Sequence, residues 1–506
     1  MRRLMIVAAA AVALSFGLST AARAEDAPKA DAAKADAAKA DKDKIELPPF
    51  PADASVKQVT HVAGKTLNYT ATVGALPVRD EKGKKIAEVV FTAYVLDGPK
   101  DPDRPVTFAF NGGPGAASVY LNLGAIGPKR VQFGAQGDSP SDSARLIDNP
   151  GTWLDVTDLV FIDPVGTGFS RSLVDKDESK KRLYSIKPDI EYLSRTVYDW
   201  LLKNGRMASP KYIAGESYGG YRTPRITYFL QTQLGVGING MVMVSPYLEP
   251  PMDQAPDFSP MPWVTTLPSM AAANYERQGK ALSPAQMAEV EDYARGEFVT
   301  DLMKGRRDPA AVARLVGKVT AYTGLNPEFV RKSGGRIQIG AFLRELYRDQ
   351  GRIASVYDSN VTQEDPFPWS ADGRRGDPIL DAIIAPTTSA MVDFATRIVG
   401  WKAEGRFNAL SYDVGENWEK GVELTEATTD LRQAIAADPK MKVLIVHGYD
   451  DLSCPYFVSR LVIDQMPIGG DPARVKLALY PGGHMFYSRP ASMAAFRNDV
   501  LAVFGK

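Results

Sequence analysis

A serine between two glycines is the first residue whose surroundings point to chemistry. The apolar residues 212–214 lead into the sequence GESYGG at residues 215–220, which contains Ser217. A Gly-x-Ser-x-Gly pattern after an apolar strand is typical of a nucleophile elbow, a sharp strand-to-helix turn that exposes the serine hydroxyl at the end of a sheet. The pattern also occurs by chance as a plain Gly-rich loop. The prediction that Ser217 is a nucleophile therefore depends on a base, an acid and an oxyanion hole elsewhere in the chain.

The chain has three histidines from which a general base can be chosen. His61 lies in an early strand-like section and is expected to be structural. His447 directly follows the apolar run 443–446, where a core position or a contact behind the site is expected. His484 lies in the sequence PGGHM, after the predicted strand 475–480, and is the expected base. Serine needs such a base because it is a poor nucleophile until an imidazole accepts its proton.

Two aspartates, Asp450 and Asp451, follow the apolar run 443–446 and precede His484 in the chain. Either one could hold the imidazole in the required tautomer and stabilise its protonated form. Both choices give the chain order Ser, Asp, His of the α/β-hydrolase triad.

The oxyanion hole is expected to use two backbone N–H groups. One belongs to Tyr218, directly after the nucleophile, and the other to Gly113 in the sequence NGGPG at residues 111–115. A tight turn is the other interpretation of NGGPG. The elbow, the acid loop and the His484 loop together favour the oxyanion hole.

The segments that carry these residues predict a mostly parallel α/β sheet. Residues 67–73 and 87–95 alternate with period two and predict an antiparallel hairpin, whereas continuous apolar runs predict strands buried on both faces. These runs lie at residues 105–110, 159–162, 241–245, 442–446 and 475–480. Helices are predicted at 190–202 and 491–504, and a sheet of this kind binds ligands outside the carboxyl ends of its strands.

Residues 250–405 have a helical character that interrupts the sheet pattern. Ser283, Asp308 and Asn326 are each followed by proline, the arrangement of a helix N-cap with proline at the first helical position. We therefore predict an α/β-hydrolase core made of residues 47–249 and 406–506, with residues 250–405 inserted as a helical cap. A chain of 506 residues agrees with this division, because a single core stops growing at roughly 250 to 300 residues.

The N-terminus has the three parts of a secretory signal: a positive start, a short apolar run at residues 4–18 and small residues before Glu25. Cleavage is expected after Ala24, and residues 25–46 form a low-complexity tether that is too polar to build a core. No later segment is expected to cross a membrane. The mature protein is therefore expected to be periplasmic or secreted, and its single cysteine, Cys454, excludes an intrachain disulfide.

Composition argues against two classes of partner. The chain has 60 basic and 60 acidic residues, so it lacks the basic excess typical of proteins that bind nucleic acid or membrane surfaces. The composition does not fix an oligomeric state.

Five ordered motifs together resemble the serine carboxypeptidases, in the form of a bacterial secreted type. The motifs are NGGPG (111–115), DPVGTGFS (163–170), GESYGG (215–220), GYDDLSC (448–454) and GGHM (482–485). The family's Gly-x-x-Asp-x-x-Cys pattern implies that Asp451, and not Asp450, is the catalytic acid. The resemblance also implies that Asn111, Gly112 and Glu216 bind the C-terminal carboxylate of the substrate.

The sequence departs from the family pattern at three positions near the predicted substrate pocket. Ala109-Phe110 replaces the usual Trp-Leu before Asn111, Ala116 replaces a cysteine, and Ala125 replaces a glutamate. These changes affect the recognition of a C-terminus and leave the triad intact.

The predicted function is hydrolysis of peptide bonds, at C-terminal residues, through an acyl-enzyme formed by Ser217, Asp451 and His484. The substrate is expected to be a peptide or protein, and neither a metal nor another cofactor is expected. An esterase or acyltransferase with the same triad is the first alternative, because of Ala109 and Ala125. A non-catalytic binding protein on the same fold is the second.

Overall fold

The computed structural model describes residues 47–506 except 100, 133–138, 142, 254, 256–257, 371–375, 420–424 and 468. The predicted signal peptide (residues 1–24) and tether (residues 25–46) lie outside the described residues. The described strands are, in chain order, β1 (Ala54–Val62), β2 (Lys65–Arg79), β3 (Lys85–Leu96), β4 (Val106–Phe110), β5 (Lys129–Gln132), β6 (Arg145–Asp148), β7 (Asp158–Ile162), β8 (Arg171–Ser172), β9 (Lys211–Glu216), β10 (Gly240–Val244), β11 (Arg352–Ala354), β12 (Thr362–Glu364), β13 (Lys442–Gly448) and β14 (Val475–Tyr480).

One large sheet organises the fold, with the strand order β1-β2-β3-β7-β4-β9-β10-β13-β14 and β8 paired to β3. The six strands β7, β4, β9, β10, β13 and β14 are parallel to one another, whereas β1, β2, β3 and β8 pair antiparallel, β3 also with β7. The predicted hairpin and all of the predicted parallel strands are present. The carboxyl ends of β4, β9, β13 and β14 precede the loops that carry the predicted site residues.

The parallel strands are apolar on both faces because both faces are covered. In β4 every residue is buried; Phe108 and Phe110 pack into one hydrophobic cluster and Ala109 into the other, on the opposite face. This explains why the central strands read as continuous apolar runs and not as an alternation.

Helices flank the sheet and fill the interval between β10 and β13. They are α1 (Lys176–Arg182), α2 (Ile186–Lys203), α3 (Tyr218–Gln233), α4 (Pro250–Asp253), α5 (Met261–Arg277), α6 (Pro284–Tyr293), α7 (Val299–Lys304), α8 (Pro309–Thr323), α9 (Pro327–Ser333), α10 (Ile339–Glu345), α11 (Pro378–Asp393), α12 (Tyr412–Asn417), α13 (Thr428–Ala437), α14 (Tyr456–Gln465) and α15 (Pro490–Val503). Short π-helical segments lie at Leu121–Ile126, Ala294–Phe298 and Phe394–Ile398, and 3₁₀ turns at Arg348–Gln350, Pro472–Arg474 and Phe486–Ser488.

The three predicted helix starts in this interval are real N-caps. The side chains of Ser283, Asp308 and Asn326 accept hydrogen bonds from backbone N–H groups in the first turns of α6, α8 and α9. These bonds satisfy N–H groups that have no partner within the helix. The helices pack around a third hydrophobic cluster, which also includes Tyr456 and Phe457 of α14.

The expectation that no segment after the signal is long and apolar enough to cross a membrane was wrong for one helix of the described residues. Residues Pro378–Ile398 form a stretch of 21 residues that is long and apolar enough to do so, and 33% of its most apolar part is buried. Its residues Ala390, Met391 and Phe394 pack into the hydrophobic cluster of the sheet that contains Ala109. A core helix of a globular protein meets the same criterion of length and composition.

Candidate active site

Ser217 occupies a strained turn between β9 and α3. Its φ of 61° and ψ of −124° place a non-glycine residue at positive φ, which costs free energy and is found at functional turns. Ser217 stands at the N-cap position of α3, yet its hydroxyl makes no capping hydrogen bond among the described residues. Its side chain is half-buried while its neighbours Glu216 and Tyr218 are buried. The hydroxyl is therefore available to a substrate.

Glycine is required on both sides of this serine. A Cβ atom at Gly215 would lie 2.0 Å from the carbonyl oxygen of Gly219, and a Cβ at Gly219 would lie 2.1 Å from the carbonyl oxygen of Phe110. Both distances are far below van der Waals contact. The sequence interpretation of the two glycines as spacers for a tight turn therefore has a direct structural cause.

The backbone of Ser217 is fixed by the loop that follows β10. The Ser217 N–H donates to the carbonyl of Val244 at 2.9 Å, and the Ser217 carbonyl accepts from the N–H of Tyr247 at 3.1 Å. Between these residues, Ser245 also has a positive φ, of 43°, and its hydroxyl donates to the carbonyl of His484 at 2.9 Å. The β10 loop therefore connects the elbow to the residue predicted as the base.

His484 and Asp451 form a buried hydrogen-bonded pair. Nδ1 of His484 lies 2.7 Å from Oδ2 of Asp451, and their side chains are 3% and 0% exposed. The other carboxylate oxygen, Oδ1, accepts from the N–H groups of Ser453 at 2.8 Å and Cys454 at 3.0 Å. Burial disfavours the charged imidazole, but the Asp451 carboxylate outweighs it and raises the pKa of His484. This pair can accept a proton and stabilise the resulting imidazolium.

Asp450 points elsewhere. Its carboxylate lies near Arg489, with Oδ2 3.8 Å from Nη2, and it accepts from Asn360 at 3.3 Å. Asp450 is within hydrogen-bonding reach of Glu276, and burial together with that neighbour raises its pKa well above the usual range. Of the two aspartates that the motif analysis left open, Asp451 is the one beside His484.

The other two histidines are placed as the sequence suggested. His447 is fully buried at the end of β13, where Nε2 lies 2.8 Å from the hydroxyl of Ser459, and burial lowers its pKa to about 3. It is therefore neutral at physiological pH. His61 is on β1 and pairs with Asp148 at 2.6 Å, with 61% of its side chain exposed.

The loop 111–115 lies directly against the elbow. A Cβ atom at Gly112 would be 2.5 Å from the backbone nitrogen of Tyr218 and 2.8 Å from Cβ of Ser217. Gly113 has a φ of +102°, a conformation that side chains rarely adopt. The loop predicted to supply the second oxyanion donor is thus adjacent to the residue predicted to supply the first.

A buried ion pair that the sequence analysis missed holds this loop. Arg222, in the first turns of α3, donates to the carbonyl of Asn111 at 2.8 Å, and its Nε donates to Asp189 of α2 at 2.6 Å. Both side chains are 1% exposed or less. Arg222 follows the elbow by only five residues, but nothing in its local sequence identifies Asp189 as the partner.

Glu216 is buried between an amide and a phenol. Asn111 Nδ2 donates to Oε2 of Glu216 at 2.8 Å, and the hydroxyl of Tyr487 lies 2.9 and 3.1 Å from the two carboxylate oxygens. Burial raises the pKa of Glu216, while the nearby charge of His484 and these hydrogen bonds act in the opposite direction. The ring of Tyr487 also lies beside Gly124, next to Ala125, since a Cβ at Gly124 would be 3.4 Å from it. Tyr487 therefore lies near Ala125, the position at which the sequence lacks the glutamate of the family pattern.

Cys454 is 5% exposed and lies beside Pro246 and Tyr247 of the β10 loop. Since its own N–H binds Asp451, a bulky group on its sulfur would displace the acid loop. We expect an organomercurial to react slowly, to inactivate the protein, and to be slowed by bound substrate. The measurement is residual activity against the mass-verified fraction modified, with the Cys454→Ala variant as the matched control that should resist the reagent. Full activity after complete modification would contradict this placement.

The sequence and the fold were compared with those of known proteins. Residues 66–282 match the family model described as serine carboxypeptidase. This segment is similar to the serine carboxypeptidases. It contains the loop 111–115 and the elbow, whereas Asp451 and His484 of the buried pair lie beyond it.

Two curated relatives are similar to this chain, one over about a third of it and one over most of it. The chain is 31% identical over 159 residues to serine carboxypeptidase-like 50 of Arabidopsis thaliana, covering 31% of this chain and 33% of that protein. It is 24% identical over 441 residues to the pheromone-processing carboxypeptidase KEX1 of Yarrowia lipolytica, covering 84% of this chain and 62% of that protein. The chain thus spans about a third and three fifths of the length of these two relatives.

The fold agrees with that of a solved carboxypeptidase. The crystal structure of the prohormone-processing carboxypeptidase Kex1(delta)p from Saccharomyces cerevisiae matches with a TM-score of 0.53 at 15% identity, covering 86% of this chain and 91% of that chain. At this level of identity the match shows the α/β-hydrolase fold, as predicted from the sequence.

Proposed function

We propose that this protein is a serine hydrolase that removes C-terminal residues from peptides or proteins through an acyl-enzyme intermediate. The observation that carries the proposal is the buried hydrogen bond of 2.7 Å between His484 and Asp451, tied through Ser245 to the elbow of Ser217. The family match of residues 66–282 supports the same chemistry.

In the proposed reaction, His484 accepts the proton of the Ser217 hydroxyl as the oxygen attacks the scissile carbonyl. The N–H groups of Tyr218 and Gly113 stabilise the negative charge that develops on the carbonyl oxygen. The imidazolium then gives its proton to the leaving amine, and the acyl group remains on Ser217. Water, activated by the same imidazole, attacks the ester and releases the product.

The proposed recognition site for the C-terminal carboxylate consists of Asn111, Gly112 and Glu216. A protonated Glu216 can donate a hydrogen bond to a carboxylate, whereas an ionised Glu216 repels it. The raised pKa of Glu216 extends the protonated form to higher pH, so free-acid substrates are favoured in acid and lose their advantage as the pH rises through that pKa. Near pH 7, peptides blocked as C-terminal amides or esters should be relatively better substrates than free acids.

Replacing Tyr487 with phenylalanine tests this arrangement. The hydroxyl of Tyr487 donates to the Glu216 carboxylate and favours its ionised form, so its loss should raise the pKa of Glu216 further. We expect the pH at which free acid and amide are cleaved equally well to move upward in Tyr487→Phe. The measurement is kcat/KM against pH for a matched free-acid and amide pair.

Tyr322→Phe is the matched control, because Tyr322 also donates to a carboxylate, that of Glu289 at 3.1 Å, in the helical region between β10 and β13. In this variant the ratio of kcat/KM for the free acid to kcat/KM for the amide should equal the wild-type ratio at every pH. A free-acid preference that is the same at pH 5 and pH 7 in the wild-type protein would contradict the role of Glu216.

The experiment that separates the proposed activity from its main alternative compares blocked dipeptides with simple esters and acyl acceptors. A carboxypeptidase releases one free amino acid from the dipeptide. Hydrolysis of esters alone, or acyl transfer to an alcohol, would identify an esterase or acyltransferase. This is the second candidate because Ala109 and Ala125 depart from the carboxypeptidase pattern near the predicted substrate pocket.

The segment between β10 and β13 is proposed to act as a cap, residues 250–405, on a core made of residues 47–249 and 406–506. The helices α5 to α10, which pack around the third hydrophobic cluster, support this division, whereas α11 packs into the cluster that contains Ala109. We further propose export of a bacterial secreted type, to the periplasm or beyond, on the basis of the signal-like N-terminus. Mass spectrometry of the N-terminus of the mature protein, with Glu25 expected as the first residue, tests this.

A further inference from the structure

Residues 355–360, between β11 and β12, contact both loops that carry the proposed acid and base. We call these residues the clasp segment. The N–H of Leu452, in the acid loop, donates to the carbonyl of Val356 at 3.0 Å, and the N–H of His484 donates to the carbonyl of Tyr357 at 2.5 Å. A part of the helical region thus supplies backbone acceptors to the two loops at once.

The contact between the clasp segment and the His484 loop is too close for any side chain at residue 483. A Cβ atom at Gly483 would lie 1.9 Å from the carbonyl oxygen of Tyr357 and 2.6 Å from Cα of Asp358. The ring of Tyr357 packs edge-on against the imidazole of His484, with ring centres 5.3 Å apart. The glycine before His484 is therefore needed because the clasp segment passes directly over it.

The side chain of Asp358 joins the clasp segment to the His484 loop. Its Oδ2 accepts from the N–H of Gly483 at 3.0 Å and from Nη2 of Arg489 at 2.8 Å, while Oδ1 accepts from the N–H of Asn360 at 3.0 Å. The residue is 5% exposed. Arg489 also pairs with Glu276 at the end of α5, so the guanidinium is held from two sides.

The other end of the clasp segment is fixed to helix α11. Asp377 accepts from the hydroxyl of Ser355 at 2.7 Å and from the N–H of Val356 at 2.9 Å, and it also caps α11 through the N–H of Ile379 at 2.9 Å. The segment is thus anchored at its start by Asp377 and near its end by Arg489. Because it is anchored at both places, the clasp segment can hold the loops of Asp451 and His484 in place.

We propose that the clasp segment positions the His484–Asp451 pair and that Asp358 is its principal positioning residue. The inference rests on the proposed catalytic roles of Asp451 and His484. If the clasp segment has this role, the region between β10 and β13 is required for turnover itself and does not act only by selecting substrates. Without the clasp segment, the N–H groups of Leu452, Gly483 and His484 lose the acceptors described above, and the imidazole loses a packed face.

The test compares Asp358→Ala with Asp358→Asn. A shift of about 1 Å in a catalytic group can reduce turnover by about 10²-fold, and we expect a loss of this order in kcat for Asp358→Ala. The loss should be the same for peptide, amide and ester substrates, with little change in KM. The rate constant for labelling of Ser217 by a fluorophosphonate should fall by the same factor. Asp358→Asn keeps an oxygen that can accept from Gly483 and should recover much of the rate.

The matched control is Asp365→Ala. Asp365 forms a buried ion pair with Arg344 at 3.0 Å in the same helical region, and it makes no contact with either catalytic loop among the described residues. It should lose stability without losing kcat. If Asp358→Ala does not fold, Arg489→Gln replaces it and should show a smaller loss with the same uniform pattern.

An increase in KM at unchanged kcat for Asp358→Ala, or an equal loss of kcat in the control, would overturn the inference. Failure of this inference can be distinguished from failure of the proposed function. Labelling that persists in Ser217→Ala would refute the catalytic assignment itself. Labelling that disappears in Ser217→Ala but proceeds at the normal rate in Asp358→Ala would refute only the role of the clasp segment.

Discussion

Ser217→Ala and His484→Ala should each reduce kcat by about four to six orders of magnitude, because nucleophile and base act as a unit. Any residual rate would come from the oxyanion hole and from substrate binding alone. Covalent labelling by a fluorophosphonate should disappear in Ser217→Ala and become very slow in His484→Ala. The measurement is single-turnover kinetics on a blocked dipeptide, together with a labelling time course.

A change at another histidine provides the control for the second variant. His447→Gln removes a buried imidazole that is neutral and bonded to Ser459, and it should reduce stability more than turnover. If His447→Gln lost as much activity as His484→Ala in a folded protein, the assignment of the base would be wrong.

Asp451→Asn should reduce kcat by about 10⁴-fold, because an amide in this position favours the wrong imidazole tautomer and cannot stabilise the imidazolium. Asp450→Asn should retain most of the activity. Its carboxyl group lies beside Glu276 and Arg489, where a neutral amide can still donate to Glu276. The two variants differ by one position in the chain and by nothing in chemistry, so each is the control for the other.

The pH dependence of these variants adds a second criterion. Turnover of the wild-type protein should rise as His484 loses its proton, and the pKa of this step is raised because Asp451 favours the charged imidazole. In Asp451→Asn the rise should begin at lower pH, whereas in Asp450→Asn it should stay where it is. A greater loss of kcat in Asp450→Asn than in Asp451→Asn would show that the Gly-x-x-Asp-x-x-Cys pattern, aligned on Gly448 and Cys454, selects the wrong aspartate.

Several parts of this site could be predicted from the sequence because their chemistry restricts the residues on either side. Gly215 and Gly219 surround Ser217 since a Cβ at either position would collide with backbone, and such a constraint leaves a recognisable motif. The parallel strands leave continuous apolar runs because both of their faces are buried. Ser283, Asp308 and Asn326 could be read as helix starts because capping is a local interaction.

The partners that come from distant parts of the chain could not be predicted in the same way. Tyr487 reaches Glu216 across 271 positions, and Asp358 reaches Gly483 across 125. Neither residue belongs to a motif, and a buried tyrosine or aspartate in a loop has many possible partners. Arg222 was missed for the same reason, although an arginine in an otherwise buried helix start is a signal that a buried carboxylate must be nearby.

The length and apolar character of one helix were missed for a related reason. Residues Pro378–Ile398 contain Asp381, Pro386 and Asp393, which divide the apolar run in the sequence. In the structure Pro386 lies inside one continuous helix. Local breaks in composition therefore do not always mark the end of an element.

The most direct test of the proposed chemistry is mass spectrometry of the protein quenched in acid during turnover of a blocked dipeptide. We expect a transient mass increase equal to the acyl part of the dipeptide, mapped to the peptide that contains Ser217. One equivalent of the free C-terminal amino acid should be released with it. An adduct on another residue, or release of the amino acid without any adduct under conditions that trap acyl-enzymes, would contradict the account.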